Sequence, residues 1–504
     1  MISKKTLLAV HSWVGLKLSL LMFIVCLTGT FAVISHEIDW LFTEDLRITS
    51  QPDSEIDWDA IRTNVHKQFP NRPDMGITKP LYSNFAAIVS MNAPELGARR
   101  VFVNPYTGEV KGDLPFYASF QRTLRDLHRY LLAPAGGLYI VGPLAVILLI
   151  STISVLFFYK KWWQGFFKLR VNSGARAFWG SLHKVLGLWS LWFLLLMGIT
   201  GTWYLNEKLI GDVGVKIQEE GVIVPEKSIT QNQFFETQIN ASQAIDIAKK
   251  SIPNFHPTTI AFASTQSNII KVVGYTDAIL VRPRSNSVSI HPVTGEVIRI
   301  RQTENQSALS IWIDMADPLH FGDFSGLFVK LIWFVFGLFT CVMSASGIII
   351  FVKRIKNKKQ GSWIKNILGG MKYVTFTVLI IPTFFGTLHT LYAHNIFAYV
   401  EHNYQVPLSV KATPEKLPKA TMYVSNTGEK TIIRVGFDCQ QCIPKKHKME
   451  LILNDGSIVK FKKSFISGYR GAASAYIDHD KLSLIESVVI KHDEDKTIYL
   501  YPQK

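Results

Sequence analysis

Charge is scarce in this 504-residue sequence: Asp, Glu, Lys and Arg together make up 18%, against about 25% in an ordinary soluble protein. That shortage of solvating groups excludes a disordered chain and argues against a cytosolic enzyme. Cysteine is scarcer still. Four residues cannot build a disulfide scaffold. There is no Gly-x-Gly-x-x-Gly fingerprint and no P-loop, so no nucleotide or flavin domain is evident. What is abundant is apolar mass, 48% of the chain, with 32 Phe, 17 Tyr and 12 Trp. The length suggests several units rather than one core.

Five stretches lack any charged residue for at least 18 positions: Leu18–Ser35, Tyr130–Tyr159, Val185–Asn206, Leu331–Val352 and Tyr373–Val400. About 20 apolar residues make a helix long enough to cross a bilayer, so five spans are expected. The first reaches that length by starting nearer Leu7, with Lys17 snorkelling or facing protein. It is long for a signal peptide, lacks a small-residue cleavage site and recurs inside the chain. The second begins near Leu138, after Pro134 and Gly136–Gly137.

The basic residues orient these spans. The segment Lys160–Lys184 carries six Lys or Arg and no acid, and Lys353–Lys372 carries seven and no acid. With Lys4, Lys5 and Lys17 they account for the whole formal charge of +16. All other basic residues are matched in number by acids. A pI-based argument for nucleic acid therefore fails. The charge is positive-inside bias, with the N-terminus cytoplasmic and the C-terminus external.

The chain repeats itself, a feature that must be read before any fold is assigned. Val10-His11-Ser12-Trp13-Val14-Gly15-Leu16 answers Leu182-His183-Lys184-Val185-Leu186-Gly187-Leu188, and at the same offset Thr28-Gly29-Thr30 answers Thr200-Gly201-Thr202. Phe69-Pro70-Asn71 matches Ile252-Pro253-Asn254. Asn104-Pro105-Tyr106-Thr107-Gly108-Glu109-Val110 matches His291-Pro292-Val293-Thr294-Gly295-Glu296-Val297, and Leu127-His128 matches Leu319-His320. The plan is span, external domain, span, twice over, then one more span and a tail. Each external segment reads as α+β. Helices are expected at Trp58–Gln68 and Ala241–Ser251, strands at Phe85–Met91, Arg100–Val103 and Asn268–Val273, and Pro-x-Thr-Gly turns between strands. The tail alternates apolar and polar residues, as in Met449–Leu453 and Ser457–Phe461, and reads as a small β-rich domain.

These span-start His-x-x-x-Gly-Leu motifs, the Thr-Gly-Thr span ends, the Pro-x-Thr-Gly-Glu-Val hairpins and the Leu-His before even-numbered spans resemble the PepSY-associated transmembrane helix family over roughly residues 1–355. The resemblance implies an iron-regulated protein of the bacterial inner membrane, similar to periplasm-facing ferric-siderophore reductases that carry b-type haem. The expected fold class is an α-helical integral membrane bundle of five spans, with two repeated external α+β PepSY-like domains and a small β-rich external C-terminal domain. The boundaries are span 1 at 1–36, external domain at 37–127, span 2 at 128–160, cytoplasmic loop at 161–182, span 3 at 183–206 and external domain at 207–319. Span 4 at 320–352, cytoplasmic loop at 353–372, span 5 at 373–402 and the tail at 403–504 complete them. The fifth span and the tail depart from the family's four-span pattern.

Ionisable residues inside spans are costly and mark function. His11 and His183 fall at the cytoplasmic ends of spans one and three, each with Gly four residues on, at Gly15 and Gly187, on the same helix face. A glycine there leaves room for a flat macrocycle. His128 and His320 fall at the external starts of spans two and four. Neutral imidazole is a recurring haem ligand, and two from different helices close both axial positions, which suits electron transfer. The expected cofactor is haem b, in two copies, His11 and His183 at the inner one and His128 and His320 at the outer. His389 and His394 on span five are expected as possible substitutes in the outer set, and His36 is a weaker candidate. The competing reading makes these histidines interfacial groups that cap helices or bond between them. With no nucleotide domain, the electron donor must be a separate cytoplasmic reductase, a quinol or a reduced flavin. The expected acceptor is an external ferric chelate, since reduction weakens the hold of hard oxygen ligands on iron. The alternative function is a non-redox accessory or sensor protein that binds a peptide, a peptidase or a partner.

Cys439-Gln440-Gln441-Cys442 lies in the tail. On compartment grounds it is a local disulfide or a redox pair. Without a second pair it argues little for zinc, and Ile443 after Cys442 rules out the Cys-x-x-Cys-His haem-attachment motif. Cys26 and Cys341 fall mid-span as packing residues. The charge bias carries its own test. A reporter that fluoresces only in the cytoplasm should be dark when fused after Lys504, and a periplasmic reporter there should be active; the reverse pattern would overturn the orientation.

Overall fold

The computed structural model describes residue 11, residues 19–356 apart from 52–53, 70–73, 94–96, 117, 134–135, 160, 216, 220, 224–237, 264–268 and 279, and residues 402–502 apart from 411–419, 427–429, 438–447, 464–472, 479–480, 482–483 and 493–495. The expected fifth span with His389 and His394, and the pair Cys439 and Cys442, lie outside the described residues.

The first half opens with α1 (Ser19–Val33) and α2 (Ser35–Phe42), which meet at a 64° bend. Helix α3 (Trp58–Gln68) and strands β1 (Asp74–Thr78), β2 (Ala87–Ala93), β3 (Gly97–Val103) and β4 (Val110–Pro115) follow, then the short α4 (Phe120–Tyr130) and the apolar α5 (Leu138–Phe158). The second half runs through α6 (Ala175–Trp189) and α7 (Leu191–Asp212), bent by 66°. After β5 (Val222–Ile223) come α8 (Ala241–Ser251), β6 (His256–Ala261), β7 (Ile270–Tyr275), β8 (Asn286–Ile290), β9 (Val297–Arg301), α9 (Ala308–Phe321) and α10 (Gly326–Lys356).

Among the described residues α5 and α10 are long and apolar enough to cross a membrane, and the two bent pairs raise the number to four if each is one span. The apolar stretch of α5, Leu138–Phe157, has 20 residues, about 30 Å at 1.5 Å per residue, which matches a hydrocarbon core. Helix α5 packs along α7, and α10 packs along both α1 and α6, so spanning helices of different halves interlock.

Three boundaries differ from the sequence expectation. The third apolar stretch, expected as one span from Val185, is broken at Ser190, whose φ of −88° and ψ of 3° leave the helical region. No Gly or Pro marks that break. Helix α6 begins at Ala175, inside the segment expected as a cytoplasmic loop. His128 and His320 do not start spans two and four. Each sits in the last turn of a short helix, α4 or α9, that ends before the spanning helix begins. Helix α4 stops at Leu131, with φ of 51°, and α9 at Gly322, with φ of 66°. A left-handed leucine costs about 1–2 kcal/mol. Leu131 is fully buried beside Leu21, Val25 and Leu144, which returns about 1.5–3 kcal/mol. The stop therefore holds, and α4 docks against α1 as α9 docks against α7.

Outside the spans, local chemistry makes the two expected helices. The Asp57 side chain accepts from Ala60 N at 2.9 Å and starts α3, which buries Trp58, Ile61 and Val65. Asn240 and Gln243 form a capping box for α8, which buries Ala241, Ala244, Ile245 and Ala248. Each buried set recurs at three- and four-residue spacing, one stripe of a helix. The Pro-x-Thr-Gly turns fall where expected, with Gly108 and Gly295 at φ of 70° and 73°, a region that glycine enters without penalty.

The two external segments share one sheet. Its order is β4-β3-β2-β1-β6-β7-β8-β9-β5, with antiparallel pairing throughout. The join is β1 on β6, where Ile77 faces Ile260 and Thr78 faces Thr259. One core runs across it, including Ile61, Ile77, Val89, Ile260, Val272 and Val288. Asp59 on α3 accepts from Ala241 N on α8 at 2.7 Å, and the Arg62 guanidinium lies 3.8 Å from the Phe262 ring centre. The repeat is thus a covalently linked pair of sheet halves rather than two separate bodies. Strands between His402 and Pro502 form a second antiparallel sheet with its own core of Ile433, Leu451, Ala475, Ile477 and Val488.

Gly76 sits at the join. A Cβ there would come within 2.5 Å of the Ile260 carbonyl oxygen, too close for any side chain to be accommodated without moving backbone. Gly76→Val should open the join. Amide exchange is expected to rise in both Asp74–Thr78 and His256–Ala261 while Lys448–Leu453 in the tail is unchanged; equal protection in all three would contradict the shared sheet.

Candidate functional site

The four repeat-related histidines come together as two pairs. The His11 and His183 ring centres are 6.5 Å apart with planes at 78°. The His128 and His320 ring centres are 6.0 Å apart with planes at 43°. Each pair takes one member from each half. A ring nitrogen sits about 2 Å from a bound transition metal, so two imidazoles sharing one ion hold their centres roughly 6 Å apart. Both separations match that span.

The Nδ1 atoms are already engaged. His128 Nδ1 lies 2.8 Å from the Val25 carbonyl oxygen on α1, and His183 Nδ1 lies 3.0 Å from the Met343 carbonyl oxygen on α10. A carbonyl can only accept, so Nδ1 carries the hydrogen and Nε2 keeps its lone pair. His320 Nδ1 lies 2.8 Å from Thr200 Oγ1. That hydroxyl donates to the Leu196 carbonyl at 2.7 Å, so it is free to accept from His320, which fixes the same tautomer. His183 also meets Ser346 Oγ at 3.0 Å, and His11 meets Ser151 Oγ at 2.7 Å. This is how metal-ligating histidines are held: one nitrogen on a protein acceptor, the other presented to the ion.

Packing clears space for the rings. A Cβ on Gly29 would lie 2.6 Å from His128 Cε1, so the glycine of Thr28-Gly29-Thr30 is what lets the outer imidazole approach α1. Gly187 has a different neighbour: a Cβ there would come within 3.2 Å of Met343 Sδ, so it accommodates α10. Gly15 lies outside the described residues. All four imidazoles keep part of their surface accessible although His128, His183 and His320 are deep among protein atoms. The donor set, the spacing and the tautomers of His128, His183 and His320 suit two-imidazole ligation of a metal. No group of three or more His, Cys, Asp and Glu suited to a metal ion occurs among the described residues, so the candidate donors act in twos.

An ionic network lies beside the outer pair. Tyr204 on α7 touches the His320 ring at 5.2 Å between centres and donates to Asp317 Oδ1 at 2.8 Å. Asp317 also meets Arg282 and Arg284, both at 3.3 Å. Arg282 reaches Asp323 at 2.7 Å. Fully buried Asp314 takes Arg284 at 2.6 Å and Arg301 at 2.9 Å. Burial pushes the Asp317 carboxyl up, but Arg282 and Arg284 outweigh it and hold it below the usual carboxylate range. Burial also works against the Arg282 charge, and Asp323 and Asp317 overcome it and keep its pKa above the ordinary value.

Sequence reading found the four histidines but not their acceptors. Thr200 and Gly29 were visible in the repeated Thr-Gly-Thr, though without a role. Ser151 and Ser346 carry no sequence signal, and Asp317 shows only as an acid one helical turn before His320. His36 joins neither pair.

Helices able to span a membrane, joined to an antiparallel sheet and carrying two histidine pairs between them, define a membrane protein with a candidate cofactor site. More particularly, the chain belongs to the family described as the PepSY-associated TM region, whose model matches residues 8–354. No curated protein matches it.

The Asp317 pairs give a pH test. A depressed carboxyl contributes stability that is fully present above the ordinary aspartate value of about 4 and is lost as pH falls through the folded value. Asp317→Asn should lower the melting temperature at neutral pH, and the gap to wild type should close as pH falls below about 4. A gap that persists unchanged in acid would mean the carboxylate charge is not what Asp317 contributes.

Proposed function

We propose that this protein is a transmembrane electron-transfer protein that reduces an external acceptor, a ferric chelate such as a siderophore, using b-type haem held by His11 with His183 and by His128 with His320. The observation that carries the reading is the pairing of histidines from opposite halves at about 6 Å, each with Nδ1 hydrogen-bonded to a neighbouring helix. Haem bound in such a pair supplies a reversible one-electron iron couple.

The chain's own residues do the rest. Two imidazoles, one from each half, would hold the iron at each pair, which would suit it to electron transfer rather than oxygen binding. Val25, Met343, Thr200 and Ser346 take the Nδ1 hydrogens of His128, His183 and His320 and so leave the Nε2 lone pairs of these three free for a metal. Trp192 packs against Trp333 at 5.5 Å and Phe336 at 4.9 Å between ring centres. Phe193 and Phe339 extend this aromatic cluster between α7 and α10. The finer topology belongs to the same proposal: five spans in a bacterial inner membrane, the N-terminus cytoplasmic, the tail external, and a separate cytoplasmic reductase, flavin or quinol as donor.

Purified protein should be red with a b-type absorption spectrum and bleach on acceptor addition after reduction. His11→Ala or His183→Ala should each remove one share of haem, and His128→Ala or His320→Ala the other, with acceptor reduction falling in all four. A colourless protein, or full haem in every variant, would reject the reading and favour a partner-binding role for the external sheet.

A further inference from the structure

Helices α5 and α6 are joined by a segment expected as a cytoplasmic loop, yet it does not hang free. Trp189 Nε1 donates to the Phe166 carbonyl at 3.0 Å, and the Arg170 amide donates to Ser181 Oγ at 2.9 Å. Gly165 is buried, and a Cβ there would come within 2.6 Å of the Tyr159 hydroxyl and 2.8 Å of Leu188 Cδ1. Between Gly165 and Arg170 the chain therefore runs back along α6, from Leu188 to Ser181. Phe167 packs on Trp189 at 6.3 Å between ring centres, and Trp189 packs on Phe339 of α10 at 6.0 Å. Phe339 lies well inside the apolar stretch of α10, Gly326–Ile350. These contacts tether the segment beside spanning helices rather than out in solvent.

The surface it presents combines two chemistries. Trp163 and Phe167 are 58% and 86% exposed, and Leu169 and Val171 are exposed as well. In the sequence Lys168 and Arg170 alternate with Phe167, Leu169 and Val171. Lys161, Lys168, Arg170 and Arg176 are all exposed. No acid occurs anywhere in residues 127–206, so no neighbour along the chain neutralises them. Large apolar side chains held open on a bonded backbone mark an interaction surface. Rings beside cations are the composition of a membrane-surface layer, where aromatic residues sit at headgroup level and Lys and Arg meet anionic lipid.

We infer that residues 161–176 form a binding face for anionic phospholipid. Trp163, Phe167, Leu169 and Val171 enter the acyl boundary of the leaflet in which α5 ends, and Lys168, Arg170 and Arg176 hold the headgroup phosphates. A guanidinium fork meets a phosphate in two-point contact, and an ammonium meets it as a point charge. Lipid fits better than an acidic protein because the apolar and cationic groups alternate residue by residue, on a segment that begins directly after the spanning helix α5. The same segment is bonded to Ser181, two residues before His183, so a bound headgroup braces the helix that carries an inner histidine. The inference rests on the membrane character of the helices and not on haem.

Full-length protein is reconstituted in nanodiscs of mixed phosphatidylglycerol and phosphatidylcholine, and the lipid it retains on release is counted by native mass spectrometry. Phosphatidylglycerol should be retained over phosphatidylcholine, and that preference should fall roughly tenfold when Lys168→Gln and Arg170→Gln are combined. Immersion is read separately. A membrane-impermeant maleimide should label Phe167→Cys in nanodiscs far more slowly than Ile458→Cys, an exposed position in the tail sheet, with the labelled peptide identified by mass. Equal labelling rates would overturn the inference and leave the face to an acidic protein partner. Equal retention of the two lipids, or a preference that the double substitution leaves intact, would also overturn it. A colourless protein that keeps slow labelling and a substitution-sensitive lipid preference would retain this inference and sink the haem reading alone.

Discussion

A histidine among spanning helices has two ring nitrogens to satisfy where water is absent, and the core of this protein is arranged around that demand. For His128, His183 and His320, Nδ1 is taken by a neighbouring helix, to a carbonyl or to a hydroxyl that has already spent its own hydrogen, and His11 Nδ1 meets the Ser151 hydroxyl. The acceptors come from the same half as the ring they serve: Val25 for His128, Ser151 for His11, Thr200 for His320, Met343 and Ser346 for His183. The facing ring always comes from the other half. Bonds within a half set tautomer and tilt, while packing between halves sets the gap.

The external sheet follows the same division of labour. Each half supplies strands and a covering helix, but the join at β1 and β6 and the Asp59 cap on α8 make the two a single body. Arg100 on β3 meets Ser119 at the start of the His128 helix, which ties that helix to the sheet. The bend at Ser190 lets α6 swing against α10 and present His183 to Met343, which a straight span would not do.

Much of this was legible in the residues. The helices Trp58–Gln68 and Ala241–Ser251 announce themselves through caps and apolar stripes, and the hairpin glycines through turn chemistry. The four histidines stand out because the repeat preserves them twice. What could not be read is long-range. Ile77 and Ile260 look like members of ordinary strands, and nothing local says that they are partners. The break at Ser190 has no glycine or proline to betray it. The start of span two near Leu138 was legible from Pro134 and Gly136–Gly137, whereas the stop of the preceding helix at a left-handed Leu131 leaves no mark in a sequence.

The inversion of Arg125 and Asp317 at matched positions has a historical reading. Two unlinked copies of one half could build the same histidine pairs about a twofold axis, but every charge beside them would then be duplicated. Joining the copies into one chain frees each helix to change alone. Arg125 and Asp317 at matched positions give the two histidine-bearing helices opposite charges, an asymmetry that no symmetric dimer of identical halves can possess.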